Sequence, residues 1–120
     1  MFAELKKYKE QDHFFLMLKD DIQEVCNAPS KNGVFVIFSL NNARIEMVYI
    51  GSTDSSLVPS GLKNQIMMRA KFLLAKIKEE GAEAVDIYWY ATDKDNPKDI
   101  ESSILEHFVK VNGSVPRWNY

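Results

Sequence analysis

Two charged side chains fall on helix faces that the apolar pattern predicts to be turned toward the protein. On the last predicted helix Glu101 lies within about 20° of Phe108 and near Leu105, at about 100° per residue. Arg69 shares its stripe with four apolar positions: Leu62, Ile66, Leu73 and Ile77. An inward carboxylate is suited to holding a metal, and a guanidinium fork is suited to binding phosphate. Such groups are compatible with several reactions, among them phosphodiester hydrolysis, which needs an activated water, a cation and a divalent metal.

Each of these residues also has a purely structural explanation. Glu101 could serve only the positive end of its helix. Arg69 could cover the core with its stem while its head reaches solvent, or it could pair with Glu101 for stability. Lys63, near a helix start, suits either a phosphate contact or simple solvation. His13 and His107 are assigned no catalytic task, since His107 lies off the Glu101 face.

The apolar pattern predicts one α/β sandwich in the order helix, strand, strand, helix, strand, helix. A stripe of Phe14, Leu18, Ile22 and Val25 predicts an N-terminal helix over about residues 12–26. Strands are predicted at residues 33–39, 44–50 and 84–90, and the first two form an antiparallel hairpin. The next helix is capped by Ser60 and stops at Gly81, and the last begins at Asn96-Pro97 and runs to about Val111. The expected sheet is three-stranded, mainly antiparallel and flanked by helices.

Four short motifs, in this order, resemble the GIY-YIG endonuclease family. Gly33-Val34-Phe35 and Tyr49-Ile50-Gly51 resemble the paired signature that names the family. Glu101, followed by Ile104-Leu105 and Phe108, is similar to its metal-binding glutamate helix. Pro116-Arg117-Trp118-Asn119 resembles its closing Pro-x-x-Asn element. The resemblance covers residues 33–119 of a single domain spanning 1–120, and residues 1–32 are expected to be a helical extension.

The resemblance implies a DNA endonuclease that uses Mg²⁺ or Mn²⁺ held by Glu101. In such a mechanism Arg69 would bind the phosphate, and Tyr49 would act as general base or position the water. Asn119 would orient the backbone or the ligand. Tyr49 also has a simpler explanation, because tyrosine favours strands and often only packs there.

Two positions depart from the family's pattern. Phe35 replaces the first signature tyrosine, so that position keeps the ring and loses the hydroxyl. Gln65 occupies the arginine position of the family's helix, and Arg69 lies one turn later, about 5 Å along the axis. Together with Lys63 and Asn119, these two positions make up the candidate substrate-binding residues: Lys63, Gln65, Asn119 and Phe35. The departures leave open a module that binds nucleic acid or protein without catalysis.

The composition limits the remaining alternatives. With 120 residues, 46% apolar and 27% charged, the chain is typical of one soluble globular domain. A single Cys26 cannot form an internal disulfide, and no basic-then-apolar leader precedes Lys6, so a cytoplasmic location is expected. No apolar run approaches the roughly 18–20 residues of a membrane span.

The net charge of −2 argues against strong nonspecific binding of nucleic acid, although five basic residues fall in one stretch and leave room for a basic face: Lys63, Arg69, Lys71, Lys76 and Lys78. A further hypothesis takes Tyr88, Tyr90 and Trp118 as an exposed surface for a small ligand or a dimer. The oligomeric state stays open.

Overall fold

The computed structural model describes residues 2–54, 56 and 60–119, which form an α+β fold. A 3-10 turn at Ala3–Leu5 opens the chain. The strands are β1 (Gln11–Leu16), β2 (Gly33–Asn41), β3 (Arg44–Ser52) and β4 (Ala84–Ala91). The helices are α1 (Ile22–Val25), α2 (Leu62–Met67), α3 (Ala70–Glu80) and α4 (Pro97–Asn112). In the part of the chain described, no helix is long and apolar enough to cross a bilayer.

The sheet has four antiparallel strands in the order β1-β4-β2-β3. The predicted hairpin is confirmed as β2 and β3, whose turn places Asn42 and Ala43 at φ of 51° and 65°. Two such residues in succession are typical of the turn whose twist matches that of paired strands. The predicted third strand is also confirmed as β4, which lies between β1 and β2.

The expected three-stranded sheet is wrong, because the predicted N-terminal helix is replaced by a fourth strand. Residues 11–16 pair with the free edge of β4, and their burial alternates: Phe14 and Leu16 are buried, whereas Phe15 is 48% exposed. Leu18 of the predicted stripe is also exposed. Only the short helix α1 remains of the predicted helix. The Asp21 side chain caps its start by accepting a hydrogen bond from the Gln23 backbone amide. The backbone hydrogen bonds offered by β4 outweigh a weak helical pattern.

Two cores lie on opposite faces of the sheet. The first core, between the sheet and α1, α2 and α3, includes Phe35, Ile37, Leu73, Ile77, Ile87 and Trp118. The second core, between the sheet and α4 with the N-terminal turn, includes Phe2, Leu5, Val34, Val36, Ile50 and Ile104. Residues before 33 contribute to both. The hypothesis of an exposed aromatic surface is wrong, because Tyr90 and Trp118 are 5% and 2% exposed.

The helix expected to run through Arg69 is instead two helices with a tight turn between them. The Arg69 amide donates to the Ile66 carbonyl at 3.0 Å, three residues back. The backbone carbonyl of Gln65 therefore lacks the amide donor that it would have in an unbroken helix. Gly61, not Ser60, stands at the start of α2, and no side chain caps it. The predicted stop at Gly81, with φ 63°, and the predicted start at Asn96-Pro97 are confirmed. Part of the predicted loop before Ser60, residues 55 and 57–59, lies outside the described residues.

Candidate functional site

Arg69 and Tyr49 meet on the first-core face of the sheet. Arg69 Nε donates to the Tyr49 hydroxyl at 3.2 Å, and its Nη1 donates to the Gln65 carbonyl at 2.8 Å. The guanidinium carbon lies 5.0 Å from the ring centroid of Phe35 and 5.7 Å from that of Tyr49. The break between α2 and α3 releases the carbonyl that Arg69 uses. The guanidinium is therefore held in one position by a backbone oxygen, a phenol and two aromatic rings.

Arg69 has no carboxylate partner among the residues that the structure describes. Arg117 is a useful contrast, because its guanidinium donates to both Glu46 and Glu80. Within the part of the chain that the structure describes, two of the five N–H donors of Arg69 are used and three have no partner. A half-buried, always-charged group with three available donors in a fixed fork is suited to an anion.

A cavity of about 310 Å³ opens beside this guanidinium. It is lined by Tyr49, Arg69, Phe72, Leu73, Trp118 and Asn119. None of these six described side chains is acidic, so none of them opposes an anion. Three of the six are aromatic, which gives the cavity apolar walls beside one fixed positive charge.

The C-terminal segment, residues 114–119, contributes to the cavity by pairing with the edge of β3. The Trp118 amide donates to the Val48 carbonyl at 2.9 Å. Asn119 uses both ends of its side chain, since Oδ1 accepts from the Ile50 amide at 2.9 Å and Nδ2 donates to the Ile50 carbonyl at 2.8 Å. The amide thus pairs with β3 as a neighbouring strand would. Orientation of the backbone, one of the two roles that the resemblance implied for Asn119, is visible in these bonds.

Glycine at position 51 keeps the rings of the site together. A Cβ there would lie 2.6 Å from the Phe35 ring and 2.8 Å from the Tyr49 ring. Phe35 itself is fully buried, so it supports the guanidinium from below and does not line the cavity. The glycine and the phenylalanine of the two motifs therefore act together, as a packing pair beneath Arg69 and Tyr49.

Glu101 lies on the other side of the sheet from this cavity. Its Oε1 accepts a hydrogen bond from the Ser52 hydroxyl at 2.6 Å. Because Gly51 faces the Tyr49 ring, the next residue of the strand, Ser52, faces α4 and the second core. The structure therefore turns Glu101 toward the protein, as expected, but does not bring it together with Arg69 and Tyr49. Among the described residues no group of three or more potential metal ligands is present.

Gln65 and Lys63 lie away from the cavity. Gln65 is 1% exposed; its Oε1 accepts from the Asp54 amide and its Nε2 donates to the Asp54 carbonyl, both at 2.8 Å. This side chain therefore fastens the loop after β3 to α2. Lys63 is exposed on α2. Neither residue lines the cavity.

Phe72 and Trp118 are the lining residues to which the sequence assigned no place in this site. Phe72 lies three positions after Arg69, so the two share a face of α3, and this spacing was the available signal. Trp118 stood inside the Pro-x-x-Asn motif. The two rings make an edge contact, with centroids 6.3 Å apart at 87°. The lining is therefore one aromatic unit built from α3 and the C-terminal segment.

Arg117 forms ion pairs with Glu46 and Glu80 that hold the C-terminal segment in place. These ion pairs should make the free energy of unfolding depend on pH. The Arg117 guanidinium, aided by the Trp118 indole, holds the pKa of Glu80 below its ordinary value of 4.5. The stabilisation is full above that unfolded-state value and is lost as pH falls through the lower pKa of the folded protein. We expect Glu80→Gln to lower the free energy of unfolding at neutral pH by on the order of 1 kcal/mol. Urea denaturation should show the gap to wild type narrowing as pH falls below 4.5 and closing as pH passes through the lower folded-state pKa of Glu80; a gap that stays constant would contradict this account.

Comparison of the chain with models of protein families, with curated proteins and with solved structures gives no significant match. A fixed guanidinium without a carboxylate partner in the described part of the chain, a phenol hydroxyl and aromatic side chains around a cavity form a combination suited to an anion.

Proposed function

We propose that this chain is a GIY-YIG-like nuclease domain that binds a phosphodiester group of nucleic acid, in the first instance DNA, at Arg69. The supporting observation is the Arg69 guanidinium itself: half-buried, fixed over two rings, and without a carboxylate partner in the described part of the chain. An arginine that is fully buried is almost always paired with an acid, and Arg69 is partly buried without one among the described residues. A phosphate oxygen is a natural acceptor for the three donors that remain.

Tyr49 is proposed to position the attacking water. Its oxygen already accepts from Arg69 Nε, so the phenol is held beside any phosphate bound to that guanidinium. The phenol O–H can donate to a phosphate oxygen, and the phenol oxygen can orient a water. Asn119 supports this arrangement through the β3 backbone at Ile50.

Glu101 is the residue proposed to hold Mg²⁺ or Mn²⁺. Ser52 uses Oε1, which leaves the second carboxylate oxygen for a cation. One protein carboxylate suits Mg²⁺, which keeps several of its waters and often takes a substrate phosphate as a further ligand. Such a metal would lower the pKa of its own water, and it would offset charge on a phosphate only where the substrate also reaches α4, because Glu101 and Arg69 lie on opposite faces of the sheet.

A second candidate function is binding of nucleic acid without hydrolysis. The observation that favours it is the position of Glu101, which contacts Ser52 across the sheet from the Arg69 cavity. Catalytic groups must be held within about 0.5 Å of a productive geometry. Phe35 also lacks the hydroxyl of the family's first signature tyrosine, and this too favours binding without hydrolysis. Both candidates share the phosphodiester site at Arg69, and they differ only in the use of Glu101.

Glu101→Gln separates the two functions. This variant keeps an acceptor for the buried Ser52 hydroxyl, so folding should be preserved, but its neutral amide binds a divalent cation poorly. We expect wild type to cleave plasmid or labelled oligonucleotide in Mg²⁺ or Mn²⁺, and Glu101→Gln to bind equally well and cleave only at background. Glu106→Gln, on the exposed side of the same helix, is the matched control and should cleave normally.

The outcomes distinguish the candidates. Binding without cleavage in either metal, for wild type as well, would reject hydrolysis and support the second function. Cleavage that Glu101→Gln leaves unchanged would remove the metal role of Glu101. Failure to bind any nucleic acid at low salt would reject both functions.

A further inference from the structure

The walls of the Arg69 cavity are more apolar than a phosphate alone requires. Tyr49, Phe72, Trp118 and Leu73 contribute rings or aliphatic groups, and Arg69 and Asn119 contribute the polar atoms. A phosphodiester needs donors and has no use for aromatic walls. A nucleobase does, because each base has a π face that stacks on aromatic side chains regardless of sequence. The lining therefore matches a nucleotide whose base is separated from its neighbours.

The volume limits how much of a strand the cavity can hold. At about 310 Å³ it is at the small end of the range for ligand pockets, roughly 300–1,000 Å³. One base with part of its sugar is compatible with this size. With the base between the walls, the adjoining phosphate would stay at the mouth of the cavity, where Arg69 has its unused donors.

The overall charge points to the same kind of ligand. Binding to intact duplex depends largely on neutralisation of phosphates by Lys and Arg, and a chain with net charge −2 has no excess of positive charge for this. A base inside a duplex must first be unstacked, at a cost of a few kcal/mol, before it can enter a pocket, and this cost is smallest when the base is already unpaired. A site with few cations and aromatic walls thus favours unpaired nucleotides.

We propose, building on the proposed function, that the cavity beside Tyr49 and Phe72, backed by the buried ring of Trp118, receives the base of an unpaired nucleotide beside the phosphate at Arg69. The substrate class is then single-stranded or locally unpaired nucleic acid, and intact duplex is a poor ligand.

Three ligands of equal backbone chemistry test this inference, with EDTA present so that only binding is measured. They are a short fluorescein-labelled oligothymidylate, the same backbone made of abasic units, and a blunt duplex. Fluorescence anisotropy should give the tightest binding for oligothymidylate. The abasic strand should bind roughly 5- to 150-fold more weakly, the range that base–aromatic stacking contributes. Thymidine monophosphate should bind more weakly than oligothymidylate, because it lacks the neighbouring phosphates.

Phe72→Leu tests the wall directly, since leucine keeps an apolar contact and removes the π face. We expect it to weaken oligothymidylate binding roughly 5- to 10-fold and to leave the abasic strand unaffected, a selectivity that loss of folding would not produce. Phe15→Leu, at an exposed ring of β1, is the matched control and should change neither affinity.

Equal affinity for oligothymidylate, abasic strand and duplex would overturn the base pocket while leaving phosphodiester binding intact. Thymidine monophosphate binding as tightly as the strand would overturn the choice of a polynucleotide. If no nucleic acid binds at all, the proposed function fails first. The failure of the inference and that of the function therefore give different results.

Discussion

Arg69→Met should bind oligothymidylate roughly 10- to 150-fold more weakly than wild type, because it removes the charge-assisted hydrogen bonds to phosphate. If the chain hydrolyses its substrate, cleavage should fall further, by about 10²–10³-fold, since a fixed donor acts most strongly on charge that develops in the transition state. Methionine keeps an unbranched apolar stem over the Phe35 ring, so the variant should fold. Anisotropy at one fixed salt concentration measures the binding, and a plasmid assay the cleavage.

Lys71→Met is the matched control for Arg69→Met. It removes the same unit of charge two residues away, from an exposed position outside the cavity. It should weaken binding far less. Arg69→Lys should not restore wild-type affinity, because an ammonium cannot reproduce the fork that holds both Tyr49 and Gln65. Equal losses for Lys71→Met and Arg69→Met would mean that binding reports general charge, and the Arg69 site would be rejected.

Local patterns predicted much of the sheet and the last helix, because in these elements the local preference and the tertiary environment agree. The run from Gly33 onward is buried on both faces, as a continuous apolar strand implies. Asn96-Pro97 caps and begins α4, and Gly81 in the left-handed conformation ends α3. These signals depend on neighbours in the sequence and need no knowledge of distant partners.

The N-terminal region shows what a local pattern cannot supply. Helical and strand spacings compete over residues 11–18, and the choice is made by the free edge of β4, about 70 residues later in the chain. His13 illustrates the point, because its Nδ1 lies 2.8 Å from Asp86 Oδ1 across that pairing. The turn at Arg69 is a second case, since no glycine or proline marks it.

The candidate site was predicted in part. The apolar stripe correctly indicated that Arg69 turns inward, and Tyr49 does contact it. The third expected member, Glu101, contacts Ser52 instead. Strand alternation explains the difference, because Tyr49 and Gly51 face one side of β3 and Ser52 faces the other. A sequence pattern can assign each side chain to a face, but which faces share a cavity depends on how the helices cover the sheet.

Trp118→Ala should be the most destabilising change in the C-terminal segment. The indole is 2% exposed in the first core, and its Nε1 donates to Glu80 at 2.9 Å. Truncation of a buried aromatic side chain costs about 3–5 kcal/mol, from lost burial and the cavity that remains. For a domain of this size the loss corresponds to a decrease in Tm on the order of 10–20 °C, measurable by circular dichroism. Trp118→Phe should lie between, because it keeps a ring and loses the hydrogen bond.

Arg117→Ala shows whether this effect comes from the core or from the surface ion pairs. Arg117 is the adjacent residue and donates to Glu46 and Glu80, but its side chain is 45% exposed, so its removal should cost about 1 kcal/mol or less. If Trp118→Ala were no more destabilising than Arg117→Ala, the segment would not be part of the first core. The same segment is also a wall of the cavity beside Arg69, since Trp118 and Asn119 reach the cavity while the segment is paired with β3. Because Trp118→Ala removes part of that wall, it should weaken oligothymidylate binding even at temperatures where the rest of the domain is folded.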